Sequence, residues 1–325
     1  MASTPPPIPD ELRQLMAEVG PRWSSAVQQH VRLMLDGFSA VLRDAPKPGD
    51  VLRHIAYGAH PRQVLDVYRP AQEQAGAAPM PVLMFIHGGA YVEGDKDRTS
   101  EIYANVLWYF ARNGMLGLNV EYRLAPDTVF PGGTQDMAAA VAWARSNVAQ
   151  HGGDPERIFM FAHSAGAAHG AHYAYDRRLH PADGSGLAGL IVVSGRVRAE
   201  NGPENPNAKR VEAYYGSAAE RMEEGSGVNY IAADSLPTMI AVAEYENPLI
   251  DVHCVELFQK LTQAKRRAPR FVWMAGHNHT SIVAHFNTAE DFLGRQMLAF
   301  MRQDPRHDVS LPADGRPLEQ TLPGG

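Results

Sequence analysis

Short apolar runs alternate with longer amphipathic stretches along most of the chain. Continuously apolar, β-rich segments stand at 82–86, 116–120, 158–161, 190–193, 238–243 and 271–275. Between several of them lie stretches with helical spacing of apolar positions, notably 136–150, 165–176, 249–264 and 289–302. A strand that is apolar at every position has both faces buried, and intervening helices supply the cover. The pattern therefore predicts an α/β fold with a mostly parallel central sheet and helices on both faces. Two segments stand outside the alternation. Residues 11–43 read as helical and precede the first strands, whereas 196–234 is polar, rich in Gly, Asn and Pro, and too long for an ordinary connection. Together they are expected to form a small cap over the carboxyl ends of the strands, where open α/β sheets hold their ligands. The Pro-rich head to about Pro9 and the polar tail from about Asp304 read as poorly ordered ends.

Composition narrows the function without naming it. Thirty Lys and Arg against 36 Asp and Glu leave a net charge of −6 over 325 residues, which gives no reason to expect a nucleic-acid partner. Apolar residues at 45% and charged ones at 20% suffice for a core, and the whole of 1–325 reads as a single domain with its cap. A lone cysteine, Cys254, on a predicted helix, allows no internal disulfide and no Cys-rich metal site. The start lacks the basic and apolar regions of a secretory signal, and no apolar run approaches the ~18–20 residues of a membrane span, so a cytoplasmic protein is expected. Trp143 and Trp273 read as core, and the basic run Lys265-Arg266-Arg267 as the end of a helix.

Candidate chemistry gathers at the ends of the apolar runs. The run ending at Phe161 is followed by Ala162-His163-Ser164-Ala165-Gly166 and then by small residues, the strand–turn–helix setting of a nucleophile elbow. The sharp turn strains Ser164 and demands small neighbours two positions away. Gly166 meets that demand, and Ala162 meets it with one methyl more than the usual Gly. The run 82–86 leads into His87-Gly88-Gly89-Ala90-Tyr91, where the glycines free backbone N–H groups to face a ligand. Gly88, Gly89 and Ala165 are thus candidate oxyanion donors, and Tyr91 and His163 candidate substrate contacts. After the run 271–275 comes Gly276-His277-Asn278-His279, a turn from which a general base can reach the serine. His279 is the first choice, with His277 and His285 as weaker candidates. His-x-His also fits part of a metal site, but no Asp/Glu ligand set accompanies it, so no metal or other cofactor is expected. The orienting acid should follow the run 238–243, where Glu246 sits at the turn and Asp251 falls on the next helix.

The chain resembles the esterase/lipase branch of the α/β-hydrolases related to hormone-sensitive lipase, and is similar to the neighbouring feruloyl-esterase-like and kynurenine-formamidase-like groups. The resemblance covers roughly 66–300. It rests on Asp66-Val67-Tyr68-Arg69-Pro70, the His87-Gly88-Gly89 loop, Tyr122-Arg123-Leu124-Ala125-Pro126 with Phe130-Pro131 and Asp136, the serine elbow, the turn 244–249 and Asn278-His279. The order Ser164, Glu246, His279 agrees with that of α/β-hydrolases. The resemblance implies that His87 helps hold the oxyanion loop and that the acid falls on Glu246, where Asp is more usual. It also implies serine-dependent hydrolysis of a carboxylic ester with a small or aromatic acyl or alcohol part. An arylformamidase-type amidase, or a binding protein on the same fold, are the alternatives. The implied partner is a small-molecule ester, and because final strands and helices often mediate dimers in this family, a homodimer is the candidate assembly.

Overall fold

The computed structural model describes residues 4–302 apart from 74, 75 and 77, so the tail expected from 304 lies outside the described residues. Strands β1 (Asp50–Ala56), β2 (Val64–Arg69), β3 (Met80–Ile86), β4 (Leu116–Val120), β5 (Gly153–His163), β6 (Gly189–Val193), β7 (Thr238–Tyr245) and β8 (Arg270–Asn278) form one sheet. Its eight strands run in the order β1-β2-β4-β3-β5-β6-β7-β8. Strand β2 is antiparallel to both of its neighbours, and all pairs from β4 to β8 are parallel.

The apolar runs follow from this position in the sheet. Along β3, β5, β6 and β7, odd-numbered Leu83, Phe85, Phe159, Phe161, Ile191 and Met239 pack on one face. Even-numbered Met84, Met160, Leu190, Val192 and Ile240 pack on the other. The first face is covered by α1 (Asp10–Val19), α2 (Val27–Leu42), α3 (Ala104–Arg112) and α10 (Phe292–Arg302). The second is covered by α4 (Gly132–Asn147), α5 (Gly166–Tyr175) and α8 (Ile250–Lys265). Helices α6 (Ala208–Tyr215), α7 (Ala219–Gly225) and the short α9 (Ser281–Ala284) lie in the connections. No helix of the described residues is long and apolar enough to cross a membrane.

Four features depart from the sequence reading. Helix α3 escapes it because Ala104 to Ala111 are all buried, leaving no polar face to set a helical period. The segment 196–234 is not a plain polar connection. It holds α6, α7 and a 3₁₀ turn at Gly227–Tyr230, which together bury Val211, Tyr214, Tyr215, Met222 and Val228. The Pro-rich head is docked rather than loose: Ile8 is buried, and the Pro6 carbonyl accepts the Ala289 N–H at 2.8 Å. Trp273 is 55% exposed instead of core, because β8 is the sheet edge and alternate residues there face outward.

The centre of the first face is an aromatic stack. Phe161 meets Phe85 edge-on at 5.0 Å and lies 5.9 Å from Phe286, with no solvent exposure. Phe161→Ala is expected to lower the unfolding free energy by about 3–5 kcal/mol in urea titration, through lost burial and the cavity left behind. Trp273→Ala at the exposed edge should change it by about 0.5 kcal/mol or less. Equal effects at the two sites would contradict this account of the core.

Candidate active site

Strand β5 delivers Ser164 to the carboxyl end of the sheet, and the entry to α5 immediately reverses the chain. Ser164 takes φ +55°, a left-handed conformation that a non-glycine residue adopts only where its surroundings impose it. Those surroundings are visible atom by atom. The Ser164 N–H donates to the Val193 carbonyl at 3.3 Å, and the Ser164 carbonyl accepts from the N–H groups of Arg196 at 2.9 Å and Ala167 at 3.1 Å. A methyl on Gly166 would fall 2.5 Å from the His87 carbonyl oxygen, so the helix can begin there only as glycine. The extra methyl of Ala162 is accommodated because its neighbour in α5 is Gly170, whose own Cβ would come within 3.2 Å of it.

Ser164, His279 and Glu246 meet. His279 Nε2 lies 3.0 Å from Ser164 Oγ, and His279 Nδ1 lies 2.6 Å from Glu246 Oε2. With the Nδ1–H donated to a carboxylate, Nε2 is left as the acceptor facing the serine hydroxyl. Both side chains are almost fully buried, with 7% and 3% exposure. The other Glu246 oxygen accepts the Ser194 hydroxyl at 2.5 Å and the Ala243 N–H at 2.9 Å, which fixes the carboxylate from behind. Ser194, itself at φ +47°, is absent from the sequence reading, although it occupies the turn after an apolar run just as Ser164 does. Asp251 stands apart, exposed in the first turn of α8 with its carboxylate on the Val252 N–H. His277 faces Ser281 and Glu290, and His285 packs on His277 with ring centres 4.8 Å apart, so neither reaches the serine.

The glycine loop lies against the elbow. A methyl on Gly88 would sit 2.8 Å from Ser164 Cβ, and one on Gly89, at φ +150°, would strike the Glu93 carbonyl oxygen at 1.7 Å. The turn closes through the Val92 and Glu93 N–H groups on the Gly89 carbonyl, and none of these closing bonds uses the N–H of Gly88, Gly89 or Ala165. Behind the loop sits Glu121, a buried carboxylate that the sequence reading missed. It takes His87 Nε2 at 2.9 Å, the Lys96 and Tyr122 N–H groups at 3.0 Å, and Arg62 in a short ion pair. Burial pushes its pKa up, but the hydrogen bond from His87 and the charges of His87 and Arg62 outweigh this and hold it below the ordinary 4.5. His87 Nδ1 lies 2.7 Å from the Gly88 carbonyl, and Tyr122 donates its hydroxyl to the His87 carbonyl at 2.8 Å. The charge at Glu121 thus reaches the glycine loop through one imidazole ring.

A cavity of about 660 Å³ opens onto Ser164, His279 and the glycine loop. Its rim includes Val27, Val31 and Leu35 of α2 and Asn207 and Arg210 at the start of α6, drawn from the two segments that stand outside the alternation. His163 lines it, donating Nε2–H to the His279 carbonyl at 3.1 Å. Burial, reinforced by nearby His279, pushes His163 well below the ordinary 6.5, so the ring stays neutral. Tyr91 is not a cavity residue. The positive-φ turn at Ala90 and Tyr91 carries its ring behind the loop, where it is 1% exposed and stacks on Tyr214 at 5.3 Å. Cys254 is buried in α8, and burial raises its thiol pKa far above the ordinary value, which suppresses thiolate chemistry.

A mostly parallel sheet of this order, with a strained serine at the turn after its fifth strand, defines an α/β-hydrolase. The BD-FAE family model matches residues 65–185, a span that includes Gly88, Gly89 and Ser164 and ends before Glu246 and His279. The chain is 37% identical over 148 residues to esterase LipC of Mycobacterium tuberculosis (strain ATCC 25618 / H37Rv), covering 46% of this chain and 32% of that protein. It is 32% identical over 167 residues to a probable isoprenylcysteine alpha-carbonyl methylesterase of Oryza sativa subsp. japonica, covering 50% and 37%. It therefore spans about a third of the length of these curated relatives. Among solved structures it matches a hyperthermophilic esterase from the archaeon Pyrobaculum calidifontis with TM-score 0.67 at 20% identity, over 91% of this chain and 98% of that one. The fold is thus that of an α/β-hydrolase, and over part of its length the chain is similar to esterases on that fold.

The Glu121 network has a pH signature. Because its folded pKa is depressed, its contribution to stability is present above the ordinary 4.5 and is lost as pH falls through the lower folded value. Thermal denaturation followed from pH 7 downward should show a loss of stability beginning near 4.5, and Glu121→Gln should flatten part of that slope. An unchanged slope in the variant would remove Glu121 from this role.

Proposed function

We propose that the chain is a carboxylesterase-type serine hydrolase in which Ser164 is the nucleophile, His279 the general base and Glu246 the orienting acid. The observation that carries this reading is the unbroken relay from Ser164 Oγ to His279 Nε2 at 3.0 Å and from His279 Nδ1 to Glu246 at 2.6 Å. His279 takes the serine proton as Oγ attacks the ester carbonyl. The carbonyl oxygen becomes an oxyanion held by the N–H groups of Gly88, Gly89 and Ala165. Collapse of the tetrahedral intermediate expels the alcohol, which receives its proton from His279 and leaves an acyl group on Ser164. Water, deprotonated by His279, then attacks the acyl carbon, and the proton returns to Ser164 as the acid departs. Glu246 keeps the required tautomer and stabilises the imidazolium that forms twice per cycle.

The cavity volume falls in the range of small-molecule sites, which supports a substrate with a small or aromatic acyl or alcohol part. In this reading 1–325 is a single hydrolase domain. Residues 11–43 and 196–234 serve as its cap, supported by their residues at the cavity rim. The lone, buried Cys254 supports a cytoplasmic location. Ester cleavage is favoured over amide cleavage because the named relatives are esterases. The intact relay argues against a purely binding role.

Ser164→Ala should reduce kcat/KM on p-nitrophenyl acetate by about 10⁴-fold or more and abolish labelling by a fluorophosphonate probe. Retained turnover in that variant would sink the proposal. Gly88→Ala should lower kcat by about 10²–10³-fold, because its methyl must displace Ser164 or the loop that carries the oxyanion donors. A change under about threefold would exclude Gly88 from the oxyanion site.

A further inference from the structure

We propose that the substrate is an ester bearing a carboxylate, and that Arg98 is the residue that selects it. This inference rests on the ester-hydrolase reading and names its substrate class.

The chain carries a net negative charge, yet the cavity beside Ser164 does not. Three arginines line it, Arg98, Arg196 and Arg210, against a single carboxylate, Glu93. Glu93 is already committed, because it pairs with Arg210 at 2.7 Å. Arg196 is nine-tenths buried and tied to the elbow, with its N–H on the Ser164 carbonyl. Its Nη1 approaches Glu200 no closer than 3.7 Å and makes no hydrogen bond, while Glu200 bonds instead to His253 at 2.7 Å.

Arg98 is the more open of the two remaining cations. It lies half-buried in the segment between the glycine loop and α3, and forms no hydrogen bond or ion pair with any described residue. Its charge is felt at Tyr103 and His163, both of which line the same cavity, and His163 immediately precedes Ser164. Several other partly buried cations do have carboxylate partners: Arg53 and Lys96 with Asp66, Arg62 with Glu121, and Arg123 with Asp136. An unpaired guanidinium in a partly desolvated cavity gains most from an anion that arrives with the ligand. A guanidinium fork matches a carboxylate bidentately, and the apolar wall of Val27, Val31, Leu35 and Ile102 accepts the carbon chain that joins carboxylate to ester.

The test compares mono-4-nitrophenyl glutarate with neutral 4-nitrophenyl butyrate, using the ratio of their kcat/KM values so that general damage to the catalytic groups cancels. The wild type should favour the anionic ester. Arg98→Gln should lower the ratio by about 10–100-fold, and Arg98→Lys should restore a large part of it. Added salt should erode the wild-type preference and leave the Gln variant unaffected. A wild-type ratio below one, or a ratio unchanged within twofold in Arg98→Gln, overturns the inference while leaving ester hydrolysis standing. If neither ester is turned over and the fluorophosphonate does not label, the hydrolase reading fails on its own. Calorimetry with glutarate then decides the anion site: binding lost in Arg98→Gln upholds it, and no binding to the wild type overturns it.

Discussion

Everything at this site depends on holding one serine in a backbone conformation that its side chain disfavours. A non-glycine residue at positive φ costs about 1–3 kcal/mol, and it persists only where the surrounding structure over-determines it. Here the restraints come from separate strands. Val193 and Arg196, flanking the turn after β6, bond the serine backbone on one side, and the carbonyls of Ile86 and His87, at the end of β3, press on Gly166 from the other. The elbow cannot relax without disturbing the register of β3, β5 and β6, whose cores lie on both faces of the sheet. Strain at Ser164 is therefore supported by the best-packed part of the molecule.

The same logic governs the charged groups. Two buried carboxylates, Glu246 and Glu121, each serve a histidine and are held by further donors, Ser194 and Ala243 on Glu246 and Arg62, Lys96 and Tyr122 on Glu121. A carboxylate with several fixed donors cannot rotate freely, so the imidazole it holds has one orientation. Glu246 sets the ring that faces Ser164, and Glu121 sets the ring that braces the glycine loop. The site is built as two parallel relays that converge on the same few ångströms around the elbow. Against this saturation, Arg98 of the cavity wall stands out, with no hydrogen-bond or ion-pair partner among the described residues.

Legibility in the sequence tracks how local each signal is. The parallel sheet was readable because a doubly buried strand must be apolar at consecutive positions, as β3, β6, the second half of β5 and most of β7 are. Ser164 and the glycine pair were readable because strand, turn and small-residue helix occur in one short string. Helix α3 was hidden by complete burial, which erases the polar face, and α6 and α7 by their brevity within a polar stretch. Glu121 left no local mark, and the place of Ser194 after an apolar run was not enough to single it out, since the importance of both lies in what comes to them from distant segments.

By itself the chain determined the class of fold, the order in which serine, acid and histidine occur, and the need for glycine beside them, because backbone conformation and hydrophobic periodicity are written in neighbouring residues. Only the tertiary structure decided that Glu246 rather than Asp251 meets His279, that Tyr91 turns inward, and that Arg98 faces the cavity without a carboxylate of its own. Those outcomes are distances between residues tens to more than a hundred positions apart. They are fixed by how β6, β7 and β8 stack beside β5, and no spacing along the chain records them.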